Sequence, residues 1–201
     1  MKQKGIAQFI GTFIMIGCVL IFLFYRTVDN NRKSEEAKKG KLTEYDKLAE
    51  YDYVGDYPKT VKEVMKLHCR YLKYLLGNDP DKLPEDEQVE ALCISMRNLY
   101  DLRLLDKNSE ANNISNLKNE IAAYKEEGLK IIGFDMPESS QVRYATQNNI
   151  ETAEVDLTVN MKVKGITATK EETYLLAKDA LGRWKILTWE LKASNINTTE
   201  Q

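Results

Sequence analysis

A single histidine, His68, and three cysteines are all that the 201 residues offer as soft metal ligands. Structural zinc takes four clustered ligands, so no metal set and no cofactor is expected. GxGxxG, Walker, GxSxG and HExxH patterns are all missing, which leaves dinucleotide, P-loop, serine-hydrolase and zincin chemistry without a starting residue. An excess of basic charge is missing too. Lys and Arg number 29 against 31 Asp and Glu, a formal net charge of −2. A nucleic-acid surface needs clustered Lys and Arg, interleaved with aromatics where single strands are bound, and neither pattern occurs. No nucleic-acid partner is expected. Internal repeats and low-complexity stretches are absent as well.

What is present begins with residues 5–25, 21 positions without a charge between Lys4 and Arg26. At about 1.5 Å per residue they span roughly 30 Å, the hydrocarbon thickness of a bilayer. A cleaved secretory signal would have an apolar core of only about 7–15 residues and a small-residue cleavage site, and no A-x-A follows here. Ile16, Gly17 and Cys18 resemble the end of a lipobox, yet seven apolar residues continue after Cys18. The expectation is an uncleaved single-pass anchor contacting membrane lipid, with residues 1–4 as a short tail. Basic residues after the anchor outnumber those before it, which argues for a cytoplasmic domain. That rule weakens for long exported domains, and a short Lys-bearing N-terminus is the usual start of an N-in anchor. The domain is therefore expected at the outer face of the cell membrane.

With 43% hydrophobic and 30% charged residues, the chain as a whole has a globular balance. Residues 26–56 are charged and poor in large aliphatics, and read as a juxtamembrane stalk with one weak amphipathic helix at Leu42, Tyr45, Leu48 and Ala49. From Pro58, apolar residues recur at helical spacing through Val61, Val64, Met65, His68, Leu72 and Leu76, and Gly77 stops the helix. A second helix starts near Pro84 and runs through Val89, Leu92, Cys93, Met96, Leu99, Tyr100 and Leu104. A third, shorter helix holds Ile114, Leu117, Ile121 and Tyr124 and ends at Gly128.

The period then changes to two. Residues 129–134 and 142–145 read as short strands. Val155, Leu157, Val159, Met161 and Val163 alternate with polar residues as a half-buried strand. Residues 172–178 form the next strand, turning through 179–182 into the most strand-like run, Arg183 to Leu191, which holds both tryptophans. There the apolar parity changes between Ile186 and Leu187, so both faces are covered or a bulge re-aims the side chains. Residues 193–201 read as a disordered tail. The predicted class is α+β: an N-terminal transmembrane helix, then helices packed on a curved antiparallel sheet.

Glu172-Thr-Tyr174-Leu-Leu176, the loop 179–182 and Arg183-Trp184-Lys185-Ile186 carry a resemblance. They are similar to the last hairpin of the cone-shaped α+β roll shared by nuclear transport factor 2 and ketosteroid isomerase. The helix start Tyr57-Pro58-Lys59-Thr60 behind an anchor also resembles a group of uncharacterised membrane-tethered bacterial proteins. The resemblance spans residues 57–192 and implies a cone-shaped roll that holds either a binding pocket or, in enzymatic members, an acid or base inside the cone. No residue matches that acid or base.

Asp156, Tyr144 and His68 are the candidate catalytic groups. Asp156 lies on a polar strand face, which is normally just solvated. Tyr144 and Tyr174 are most simply sheet aromatics. His68 sits on an apolar helical stripe, where a core histidine satisfied by one hydrogen bond is the bland alternative to a base. Tyr174, Trp184 and Trp189 are the candidate pocket walls. Cys69 and Cys93 lie at equal offsets from the loop between the first two helices, roughly 12 Å from the turn, where they either bridge or simply fill space. A disulfide would form only outside the cytoplasm. The functional expectation is a non-catalytic binding or interaction module with a protein or small-molecule partner. The alternative is an isomerase- or lyase-type enzyme in a cone pocket.

Overall fold

The computed structural model describes residues 42–77 and 83–196; the expected membrane helix at 5–25 and residues 197–201 lie outside that range. Among the described residues no helix is long and apolar enough to cross a membrane. The chain from Glu44 onward forms one compact unit of α+β class, with helices and an antiparallel sheet.

That unit begins earlier than the expected stalk allows. Helix α1 (Glu44–Ala49) puts Leu48 in the core at 0% exposure. The Leu48 carbonyl accepts hydrogen bonds from the Tyr71 hydroxyl at 2.7 Å and from Ser95 Oγ at 2.9 Å. Tyr51, Tyr53 and Tyr57 also pack against the core. Charge had hidden this: aromatic bodies bury here while their polar tips stay bonded.

Helix α2 (Val61–Leu76) starts at a capping box, in which Thr60 Oγ1 accepts from the Glu63 N–H at 3.2 Å and Glu63 Oε2 accepts from the Thr60 N–H at 3.0 Å. It ends at Gly77, a position where a Cβ would meet the Ile131 carbonyl oxygen at 2.7 Å. The second predicted helix is divided. Helix α3 (Asp86–Met96) gives way to a 3-10 turn at Arg97–Leu99, an extended Tyr100, and a separate α4 (Leu102–Lys107). The cause is tertiary. Tyr100 forms a parallel bridge with Ile186, and the Asp101 N–H donates to the Ile186 carbonyl at 2.8 Å. The Asp101 carboxylate then caps α4 by accepting from the Arg103 N–H at 2.9 Å. Helix α5 (Glu110–Glu127) is 18 residues long, longer than its few apolar positions suggested, and ends at Gly128 with φ 65°.

The sheet contains β1 (Leu129–Asp135), β2 (Arg143–Gln147), β3 (Ile150–Val163), β4 (Ile166–Lys178) and β5 (Trp184–Ile196), all pairs antiparallel. Its order is β1-β3-β4-β5, with β2 pairing the first part of β3 and β1 the last. Ala153, Val155, Leu157 and Val159 of β3 face the helices at 3% exposure or less. Residues 193–196, expected in a disordered tail, continue β5.

A bulge settles the parity change in β5. Leu175 pairs with Thr188 but Leu176 pairs with Ile186, so Leu187 is the extra residue. Trp184 and Ile186 lie on the inner face, and the slip returns Trp189 to that face opposite Tyr174. Without the extra residue Trp189 would point away from the helices.

Candidate functional site

Helices α2 and α5 pack on β1, and α2 also touches β5. Between these elements lies a cavity of about 220 Å³. One wall is aromatic. The His68 ring stands edge-on to Tyr174 at 5.5 Å and to Tyr100 at 6.0 Å, and lies 6.4 Å from Trp189. Trp189 stacks on Tyr174 at 5.9 Å with 19° between the planes, the cross-strand pair that the bulge creates. The opposite lining is polar and includes Asn113, Asn116, Glu120, Lys170 and Glu172.

Glu172 is a buried carboxylate at 8% exposure. Its Oε2 accepts from the Tyr174 hydroxyl at 2.9 Å, and its Oε1 pairs with Lys170 Nζ at 2.9 Å. Burial, and then the neighbouring Glu172 charge, hold the Tyr174 hydroxyl pKa well above its ordinary value. For Lys170, burial is the largest single influence and works against the ammonium, but the Glu172 bond together with the charges of Glu172, Tyr124 and Glu120 outweighs it and the pKa is raised.

His68 is 2% exposed, and its Nδ1 has no hydrogen-bond partner. Burial pushes its pKa down to about 4, so the ring is neutral at pH 7. The core histidine satisfied by one bond is thus not what Nδ1 provides. An unmet buried nitrogen costs about 1–3 kcal/mol.

The other sequence candidates are scattered. Asp156 is on the opposite face of β3, where it accepts from Thr173 Oγ1 at 2.7 Å and pairs with Arg143 at 2.9 Å and Lys192 at 3.5 Å. The Arg143 bond, helped by Thr173, lowers its pKa to about 2. Arg143 also pairs with Glu154, so this is a surface ion network. Tyr144 is 58% exposed and touches Trp184, ring to ring at 5.8 Å. Trp184 is buried near the Tyr144 end of β5, under Lys178 Nζ at 5.2 Å, and does not line the cavity. Of the three catalytic candidates only His68 reaches the cavity, and of the three pocket candidates only Tyr174 and Trp189.

Cys69 and Cys93 are both free, buried thiols, the space-filling one of the two arrangements left open by the sequence. Equal height along two helices does not fix facing. Cys93 Sγ donates to Asn113 Oδ1 of α5 at 3.1 Å. Burial, and to a lesser extent Glu172, raise the Cys69 thiol to about 12, so neither geometry nor charge favours oxidation. Among the described residues no three His, Cys, Asp or Glu side chains gather as a metal set.

Glu172 and Lys170 were the residues missed. Their signal was present, because Lys170, Glu172, Tyr174 and Leu176 share one strand parity and the last two are fully buried.

Fold and cavity together define a small α+β domain with a half-aromatic, half-polar chamber that opens past the exposed Asn116 and Glu120. The chain belongs to the family described as domain of unknown function DUF6715, whose model matches residues 1–189. No curated protein matches the chain.

Proposed function

We propose that this chain is a small-ligand binding module, held at the outer face of a membrane by residues 5–25 as a single transmembrane helix. The domain is read as a cone-shaped roll similar to nuclear transport factor 2 and ketosteroid isomerase. Helices preceding an antiparallel sheet, with a chamber between them, support that reading. The anchor rests on the 21 uncharged residues at 5–25 and their charged flanks.

The observation that carries the binding reading is the chamber itself, walled by the rings of His68, Tyr174 and Trp189 and faced by the Lys170–Glu172 pair. At about 220 Å³ the chamber holds roughly seven waters of ~30 Å³ each, below the ~300–1,000 Å³ of drug-sized sites. The ligand is therefore small, with a flat or apolar part against Tyr174 and Trp189 and a polar end toward Asn113, Asn116 and the Lys170–Glu172 pair.

A second reading, an isomerase- or lyase-type enzyme, is favoured by the buried Glu172 carboxylate in the same chamber. Against it, both Glu172 oxygens already have partners, which leaves no free base aimed at a substrate.

Native mass spectrometry of the full chain, released from its membrane in nonionic detergent, tests the reading. A low-mass adduct is expected on the wild type and absent from Asn116→Trp, which plugs the exposed side of the chamber. Bare mass in both proteins overturns it.

A further inference from the structure

A second, larger cleft of about 610 Å³ lies between the Arg97–Arg103 segment and the β4–β5 turn. Tyr100 alone separates it from the His68 chamber, since that residue lines both. Five cationic side chains line the cleft, and three of them have carboxylate partners. Arg103 pairs with Asp101 at 2.7 Å, Arg183 with Asp179 at 2.8 Å, and Lys178 with Glu151 at 2.9 Å.

Lys185 and Arg97 are different. Lys185 Nζ donates to the Asn98 carbonyl at 2.6 Å and sits 4.3 Å from the centre of the Tyr57 ring. Arg97 Nη1 donates to the Asn108 carbonyl at 3.0 Å. Neutral oxygens satisfy hydrogen bonds but do not cancel charge, and among the described residues no carboxylate pairs with either side chain. Lys185 is also 9% exposed, a buried ammonium without a counter-ion, which is costly in a fold of any kind. Trp184, Lys185 and Ile186 are buried in succession, so both faces of β5 are covered here and the cleft is the side from which Lys185 is reached.

We propose that this cleft is an anion-binding site for a small aromatic carboxylate, with Lys185 and Arg97 as its counter-charges. The ring of the ligand lies among Tyr53, Tyr57 and Tyr100, and Leu102 and Leu181, each 74% exposed, form an apolar rim. Charge complementarity selects the carboxylate, and the aromatic wall selects the ring. Burial, and then the neighbouring Arg183, lower the Lys185 pKa to about 8, while Asp179 and Asp101 pull the other way. A bound anion raises that pKa, so by linkage the anion binds best while Lys185 is charged. Asp101 and Asp179, both lowered, and Arg103, raised, keep their charge from pH 7 to 10, and burial holds Tyr53 and Tyr57 neutral there.

The test is isothermal titration of the full chain in nonionic detergent with benzoate and with neutral benzamide. At pH 7 benzoate is expected to bind at least tenfold tighter than benzamide. Its affinity should fall at least tenfold by pH 10. Lys185→Met, which keeps the unbranched stem, should fold with no loss of stability and lose at least tenfold in benzoate affinity. Arg97→Gln should weaken benzoate without restoring benzamide. Asn116→Trp should bind benzoate like the wild type, which separates this site from the His68 chamber. Equal binding of benzoate and benzamide, no binding of either, full benzoate affinity in Lys185→Met, or benzoate loss in Asn116→Trp each overturns the proposal.

Discussion

Replacing His68 by Phe gives the sharpest energetic test of the chamber wall. Phe keeps a flat ring against Tyr100, Tyr174 and Trp189 but removes the unpartnered Nδ1. The folded pKa of His68 is lowered to about 4 from 6.5, so the unfolded chain takes a proton at a pH where the folded chain does not. Stability from the neutral ring is complete above pH 6.5 and is lost as pH falls toward 4. Two and a half pH units at ~1.4 kcal/mol each set that loss at roughly 3 kcal/mol. Urea denaturation of residues 29–201, followed by Trp184 and Trp189 fluorescence, reads it directly. Other titrating groups cancel when wild type and His68→Phe are compared at each pH. The variant should be no less stable than wild type at pH 7 and should gain about 3 kcal/mol on it by pH 4. Parallel loss in both proteins, or a cost above about 2 kcal/mol at pH 7, would mean that Nδ1 has a partner and the reasoning fails.

The remaining expectations concern packing and location. Leu48→Ala should destabilise the domain by about 2–5 kcal/mol, since α1 is part of the core; a loss under about 1 kcal/mol would return residues 44–56 to the role of a stalk. Trp184→Ala should cost about 3–5 kcal/mol in the same assay, given a 7% exposed indole, and an indifferent result would misplace β5. Removing residues 1–28 should leave a soluble, folded protein in the supernatant after ultracentrifugation; a product that stays in the membrane pellet contradicts a simple tether. Cys69 and Cys93 should both be alkylated in denaturant without a reductant and resist alkylation in the native protein, whereas an unalkylated product two hydrogens lighter than the dithiol would reveal a bridge.

Local pattern made much of this fold legible. The alternation of Val155, Leu157 and Val159 marked β3, Gly77 marked the end of α2, and the parity change at Leu187 marked where β5 is irregular, while the start of α2 lies at Val61 behind the Thr60 cap rather than at Pro58. What stayed hidden depended on distant residues. The break in the second helix comes from Ile186, 86 positions from Tyr100, and no local residue announces it. Residues 44–56 looked like a stalk because their charges are read in sequence, while burial is decided by Tyr71 and Ser95 reaching Leu48. At the site, His68 was visible from its helical stripe. Lys185 and Glu172 were not, because a charged residue in a strand is ordinarily assigned to solvent, and only the covering helices and turn bury these two.

His68 is the sole histidine, so its ring gives one unambiguous proton–carbon NMR signature from inside the chamber. The most direct measurement compares that signature in the full chain as first purified with the same chain unfolded, dialysed free of small molecules and refolded. A ligand-binding chamber predicts that the His68 ring resonances differ between the two samples and that the original position returns when the released small-molecule fraction is added back. Identical His68 resonances in both samples would contradict a ligand in the chamber.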